Sequence, residues 1–282
     1  MRKTRKLVIL NLFLVLLIPF WTKELLESTE LNRLNKEVIQ TDAFREQNLS
    51  DKFLEYLQYS KKKSRDVTLY LLETNFGYQL FEGDYTDLEF RHLESKWKKQ
   101  KDWVSVLKYN EAIWNEVKYF PVPQSTSDSK LSVSYSNSWM QERTYGGKRG
   151  HEGTDIIANE NVPGLFPVVS ISDGEVTNIG WLEKGGYRIG ITTTSGTYFY
   201  YAHLDSYADL EIGDRVKAGD LLGFMGDTGY GPEGTTGVFP VHLHLGIYIY
   251  QEEKEISVNP YWILRYLEEH KVKCAYSSGD MK

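Results

Sequence analysis

The chain has 282 residues, enough for one or two domains with a sizeable core, and its 41 % hydrophobic and 26 % charged content excludes a disordered polymer. A net charge of −6 excludes the overall basic footprint of a nucleic-acid binder. With Cys274 as its one cysteine, an intrachain disulfide framework and a cysteine-based zinc site are excluded as well.

In chain order, Arg2, Lys3, Arg5 and Lys6 precede a run from Leu7 to Trp21 that is apolar apart from Asn11. A charged start followed by an apolar stretch predicts entry to the secretory route. No small-residue cleavage site follows in Thr22 to Leu26, so residues 1–22 are expected to stay as a signal-anchor or transmembrane segment. The positive-inside rule then puts the remainder outside the cytoplasmic membrane, and cleavage would instead secrete it. No cysteine follows the apolar run, so a lipoprotein anchor is not expected.

Residues 23–120 read as helical. Leu31, Leu34 and Val38 keep helical spacing, Ser50 is suited to cap a segment with Phe53, Leu54 and Leu57, and Phe90, Leu93 and Trp97 repeat with helical period. Lys61 to Lys63 reads as a solvated break, and Val67 to Leu72 fits a helix or a strand. His92 lies in a charged helical pattern and reads as a surface residue. The region has no convergent polar set and its role is not readable.

Pro121 to Ser129, with two prolines and four hydroxyl residues, predicts an unpacked linker over 121–135. Beyond it glycine becomes frequent and short β-branched or aromatic runs alternate with turn residues. Strands are expected at Val168–Ile171, Glu175–Ile179, Arg188–Thr193, Tyr198–Tyr201, Leu221–Met225 and Val241–Tyr250, with hairpin turns at Asp173-Gly174 and Ser195-Gly196. Strands without intervening helices argue for a mainly antiparallel β domain over 136–270, closed by a helix from Tyr261 to His270 and followed by a tail, 271–282. The fold class is thus α+β, a helical N-terminal region ahead of a β domain.

Two stretches carry chemistry. In Val241 to Tyr250, a period of two sets Val241, Leu243, Leu245, Ile247 and Ile249 on one face and His242, His244, Gly246 and Tyr248 on the other. In Gly150 to Ala158, a strand puts His151, Gly153 and Asp155 on one face, with Gly153 leaving room between two polar side chains. With one of the two histidines His242 and His244, these residues make a His₂Asp set, whose fourth tetrahedral position stays open to water as in catalytic zinc sites. His203 stands near the end of a further β run.

His151-x-x-x-Asp155, Tyr201-Ala202-His203-Leu204 and His242-x-His244, in that order, resemble the lysostaphin/LytM-type zinc endopeptidases, the M23 peptidase family. The turns at Asp173 to Val176, Gly180-Trp181, Gly213 to Asp220, Gly226 to Gly229 and Asn259-Pro260 fit as well, so the resemblance covers residues 139–265. It implies a barrel-sandwich-type β domain, zinc held by His151, Asp155 and His244, and proton handling by His203 and His242. It further implies hydrolysis of peptidoglycan stem or cross-bridge peptides at the cell surface, with Tyr145 at the place where some members carry an oxyanion-stabilising tyrosine. The chain departs from the family in a longer loop, Tyr230 to Pro240, expected to rim the cleft, and in Gly185 to Arg188 at the central hairpin. Two rivals are a catalytically silent wall-binding or scaffold module of the same fold and a swinging-arm carrier domain. The first would lack a ligand and the second needs a lysine at a hairpin tip; neither condition is met.

Overall fold

The computed structural model describes residues 32–145 and 147–278. The expected anchor, residues 1–22, lies outside them; among the described residues no helix is long and apolar enough to cross a membrane.

The first part is helical: Lys36–Gln40 in a 3₁₀ turn, then Asp42–Arg45, Asp51–Leu57, Lys63–Glu73, Asp87–Trp97 and Trp103–Trp114. Ser50 accepts from the Phe53 amide and Thr86 from the Glu89 amide, so two helices start where a hydroxyl satisfies an orphan N–H. Val67 to Leu72, ambiguous by pattern, is buried helix. Phe53 stacks on Tyr70 at 4.1 Å between centroids, and Phe90, Leu93 and Trp97 bury the face that their spacing marks. His92 is exposed.

The second part is a ten-stranded, antiparallel sheet. Along its main path run Arg215–Val216, Gly174–Leu182, Gly186–Thr192, Tyr198–Tyr207, His242–Gln251, Thr154–Ala158 and Val133–Tyr135. Tyr198–Tyr207 is longer than its apolar pattern indicates. Its first half pairs with Gly186–Thr192 and His242–Gln251, and its far end turns to Leu221–Met225 through a bulge. Leu221–Met225 pairs in turn with Pro167–Val169, and Lys254–Val258 with His242–Gln251.

Three expectations need correction. Asp173-Gly174 is not a hairpin turn: Pro167–Val169 pairs with Leu221–Met225, while Gly174–Leu182 pairs with Gly186–Thr192, whose connection is the tight turn after Leu182. Ser195-Gly196 does join paired strands, with Gly196 at φ 86°. The proline stretch is not unpacked either. Pro121, Val122 and Pro123 are buried, and Gln124–Ser125 pairs in parallel with Lys273–Cys274. The prolines lack donors, but the Gln124 and Thr126 amides reach the Val272 and Cys274 carbonyls at 2.8 and 2.9 Å. The closing helix is Tyr261–Leu267, so His270 follows it rather than ending it.

One apolar cluster runs through both parts. Trp114, fully buried, donates from its indole to Gln47 Oε1 at 2.8 Å and meets Tyr266 edge-on. Arg45 donates to the Ser257 carbonyl and hydroxyl and lies over Trp139. Replacing Trp114 by alanine empties a large volume and orphans the Gln47 amide oxygen. The expected cost is about 3–5 kcal/mol, read as a lower urea midpoint in a transition common to helical and β signals.

Candidate active site

Register builds the site. In the antiparallel pair, His244 stands directly opposite Asp155, Leu243 opposite Ile156 and Leu245 opposite Thr154. Leu243, Leu245, Thr154 and Ile156 are buried on one face, which turns His244 and Asp155 to the other. His151 is not on this strand, which begins at Thr154. Its amide donates to the Gln141 carbonyl and its carbonyl accepts from Met140, so it continues the small hairpin of Glu142–Arg143 and Arg149–Gly150. A bend at Gly153 then carries the chain into the sheet.

His151 Nε2, Asp155 Oδ1 and His244 Nδ1 form a triangle with each edge 3.0 Å. Two imidazole nitrogens facing one carboxylate oxygen and each other cannot satisfy every edge with a hydrogen bond. A cation at the centre satisfies all three. A tetrahedral ion with bonds of about 2.0–2.1 Å holds its donors about 3.3 Å apart, close to the triangle found. These residues are the group of side chains that could hold a metal among the described residues. His151 Nδ1 donates to the Ser138 carbonyl at 3.0 Å, which leaves Nε2 its lone pair. Asp155 Oδ2 accepts from Arg143 Nη2 at 2.7 Å. Gly153 is required for space: a Cβ there would lie 2.5 Å from His244 Cε1 and 2.6 Å from the Leu245 carbonyl oxygen.

His203 and His242 stand beside the triangle, their rings 4.6 Å apart. Both are wired alike. His203 Nδ1 donates to the Thr228 carbonyl at 2.7 Å and His242 Nδ1 to the Pro240 carbonyl at 2.8 Å, so each keeps Nε2 as an acceptor. His242 Nε2 is 3.9 Å from Asp155 Oδ1. His203 sits in the bulge at φ 62°, left-handed backbone that a residue other than glycine rarely adopts. Its amide donates to Gly185 and its carbonyl accepts from Gly226, which holds it there. Gly186, at φ 63°, passes so close to the Thr228 carbonyl that a Cβ would collide with the group orienting His203.

Burial sets the electrostatics. It pushes His203 well below the ordinary histidine value, helped by His242 and His244, and it lowers His242 and His244 against the opposing pull of Asp155. Burial alone would raise Asp155, but the imidazoles of His151 and His244 at 3.0 Å outweigh it, and the carboxyl lies well below the usual range. Phe239 supplies much of the apolar wall, 4.6 Å from the His203 ring and 4.9 Å from that of His242.

The five residues border one cavity of about 620 Å³, which Tyr230, Phe239 and Pro240 of the long loop also line. Tyr145 is not brought into it. Its ring lies flat against Tyr230, 4.2 Å between centroids, while the Tyr200 ring stands 5.9 Å from that of His244 and the Tyr230 ring 6.0 Å from that of His203. Arg143 escapes sequence reasoning, since its bond to Asp155 depends on a short hairpin that no hydrophobic pattern marks.

Comparison with known proteins agrees with this arrangement. The model of the LytM N-terminal domain matches residues 29–116 and that of peptidase family M23 matches residues 149–260. The crystal structure of a candidate glycyl-glycine endopeptidase, lytM, from Ruminococcus gnavus is 56 % identical, covers 88 % of this chain and 99 % of its own, and superposes with a TM-score of 0.83. The L-Ala–D-Glu endopeptidase of Bacillus subtilis is 42 % identical over 153 residues, 54 % of this chain and 44 % of that protein. The glycyl-glycine endopeptidase ALE-1 of Staphylococcus capitis is 35 % identical over 115 residues, 38 % of this chain and 30 % of that protein. The chain thus spans less than half the length of these two curated relatives. With a LytM N-terminal domain ahead of it, the β domain and its histidines make this chain a member of peptidase family M23.

Proposed function

We propose that the chain is a zinc-dependent endopeptidase that hydrolyses peptide bonds of peptidoglycan stem peptides or cross-bridges. The observation that carries this reading is the 3.0 Å triangle of His151, Asp155 and His244 with two acceptor imidazoles beside it. The two curated relatives are named as an L-Ala–D-Glu endopeptidase and a glycyl-glycine endopeptidase.

In this reading His151, Asp155 and His244 hold zinc, a borderline-soft ion suited to two imidazoles and a carboxylate. Bound zinc supplies Lewis acidity toward the scissile carbonyl and toward water. The chain's own residues supply the proton path. His203 and His242 are largely neutral near pH 7 because burial disfavours their cations, so Nε2 of either can take a proton from the attacking water. The resulting imidazolium can pass that proton to the leaving amine, and Asp155 at 3.9 Å favours the charged form of His242 while it lasts. Phe239 and Tyr230 exclude bulk water from that side. A barrel-sandwich form for the sheet and an extracytoplasmic, membrane-anchored position for the β domain belong to the same reading. The basic and apolar start, Arg2 to Trp21, supports the anchor.

Four tests follow from it. Asp155→Ala and His244→Ala should each lose bound zinc, measured on the purified protein by elemental analysis, and with it muropeptide cleavage. His203→Ala or His242→Ala should keep about one zinc while kcat/KM falls by about a hundredfold or more; cleavage at the parent rate would sink the proton-path assignment. Gly153→Ala should weaken zinc binding by about tenfold or more against a chelating indicator, because the added methyl displaces the His244 ring. For the location, protease added to intact cells should degrade the β domain, and full protection would refute an extracytoplasmic site.

A further inference from the structure

Arg149 enters the cavity one residue pair away from the metal triangle. It lies on the short strand Arg149–Gly150, opposite Arg143, and borders the same cavity as His151, Tyr200 and His244. Its partner across the hairpin is committed, since Arg143 is bonded to Asp155. Arg149 has no such partner among the described residues. Its Nε is buried and accepted by no group, and no carboxylate pairs with its guanidinium.

The two acids that border the cavity face other partners. Asp155 uses Oδ1 on the two imidazoles and Oδ2 on Arg143. Glu152, half-exposed, lies 3.9 Å from Arg45 Nη2, on the side of the helical region. Arg149 and Tyr200 border the same cavity, near enough for the guanidinium charge to act on the phenol. The Tyr200 hydroxyl packs against Gly185, where any Cβ would strike it. Arg188, in the sheet behind, also acts on Tyr200. The wall at Arg149 is therefore cationic and hydrogen-bonding, and no carboxylate of the protein is paired with it. A half-buried guanidinium without a counter-charge is costly, and a planar carboxylate matches its fork of donors.

We infer that Arg149, with the Tyr200 hydroxyl, is a specificity-determining site that receives a free carboxylate of the substrate peptide. The inference rests on the endopeptidase reading above and narrows it. An acidic stem peptide, such as one whose D-Glu keeps a free carboxylate, supplies the missing charge. An oligoglycine bridge carries no side-chain acid and leaves Arg149 unpaired. Recognition here is a matter of binding and placement; Arg149 takes no part in moving protons.

The test is a calorimetric titration of the full chain loaded with zinc, in an H242A background that keeps the peptide intact. The probes are the tripeptide L-Ala–D-Glu–L-Lys and the same peptide with the D-Glu carboxylate converted to a carboxamide. With Arg149 present the acid should bind tighter than the amide by about tenfold or more, the worth of a charge-assisted pair. R149Q should remove that preference by weakening the acid while leaving the amide within about twofold, and R149K should keep part of it. Equal weakening of both peptides, an acid preference that survives in R149Q, or no acid preference with Arg149 in place would each overturn the inference. Cleavage separates the two readings. If Arg149 governs the binding preference but zinc-loaded wild-type protein releases nothing from muropeptides, the endopeptidase reading fails and the recognition site stands.

Discussion

The site depends on a cross-strand register. His244 meets Asp155 because Leu243 and Leu245 need the buried face that Ile156 and Thr154 also need. A slip of one residue by the strand of His244 would send its imidazole into the core and Leu243 and Leu245 into the cleft. Core packing and ligand geometry are thus a single requirement, and the hydrophobic face of the sheet enforces the polar one. His151 joins from outside the strand, and its orientation comes from a different source, the Ser138 carbonyl behind its ring.

The second pair of histidines reaches the same wiring by unlike routes. His242 continues the strand of His244 and takes its orientation from the carbonyl of Pro240, two residues back. His203 is turned out of its strand by a bulge, in left-handed backbone, and takes its orientation from a loop 25 residues away. Backbone strain of this kind persists only where the surroundings over-determine it, and here the Gly185 carbonyl, the Gly226 amide and the Thr228 carbonyl do so. Both rings end with the same free nitrogen toward the cleft. Phe239 packs on both, so the loop that rims the cleft also dries the two groups.

Much of this was legible in the sequence. A period of two in Val241 to Tyr250 sorts His242 and His244 from the core, and the pairing found obeys it. Helical spacing of Phe90, Leu93 and Trp97 marks a buried face, and Ser50 marks a helix start. What stayed hidden has a common cause, contact between residues far apart in sequence. Arg143 on Asp155, the Tyr145–Tyr230 stack and the Thr228 carbonyl on His203 leave no periodic trace. Asp173-Gly174 has good turn chemistry, yet its flanking strands find other partners, since turn residues state that the chain bends and not what it bends toward. The proline stretch misled for the opposite reason: its composition is that of a linker, but its free amides meet a strand from the far side of the β domain.

That last pairing has a consequence for how the protein is made. The Phe120, Gln124 and Thr126 amides find their acceptors on His270, Val272 and Cys274, and Ser125 donates to the carbonyl of Tyr276. The joint between the helical region and the sheet is therefore sealed by residues translated about 150 positions later. On the ribosome the helices can close over their own aromatic core early, while this pairing waits for that late segment to emerge. The order of synthesis thus leaves the β domain without this last seal on its companion for most of the time the chain is growing.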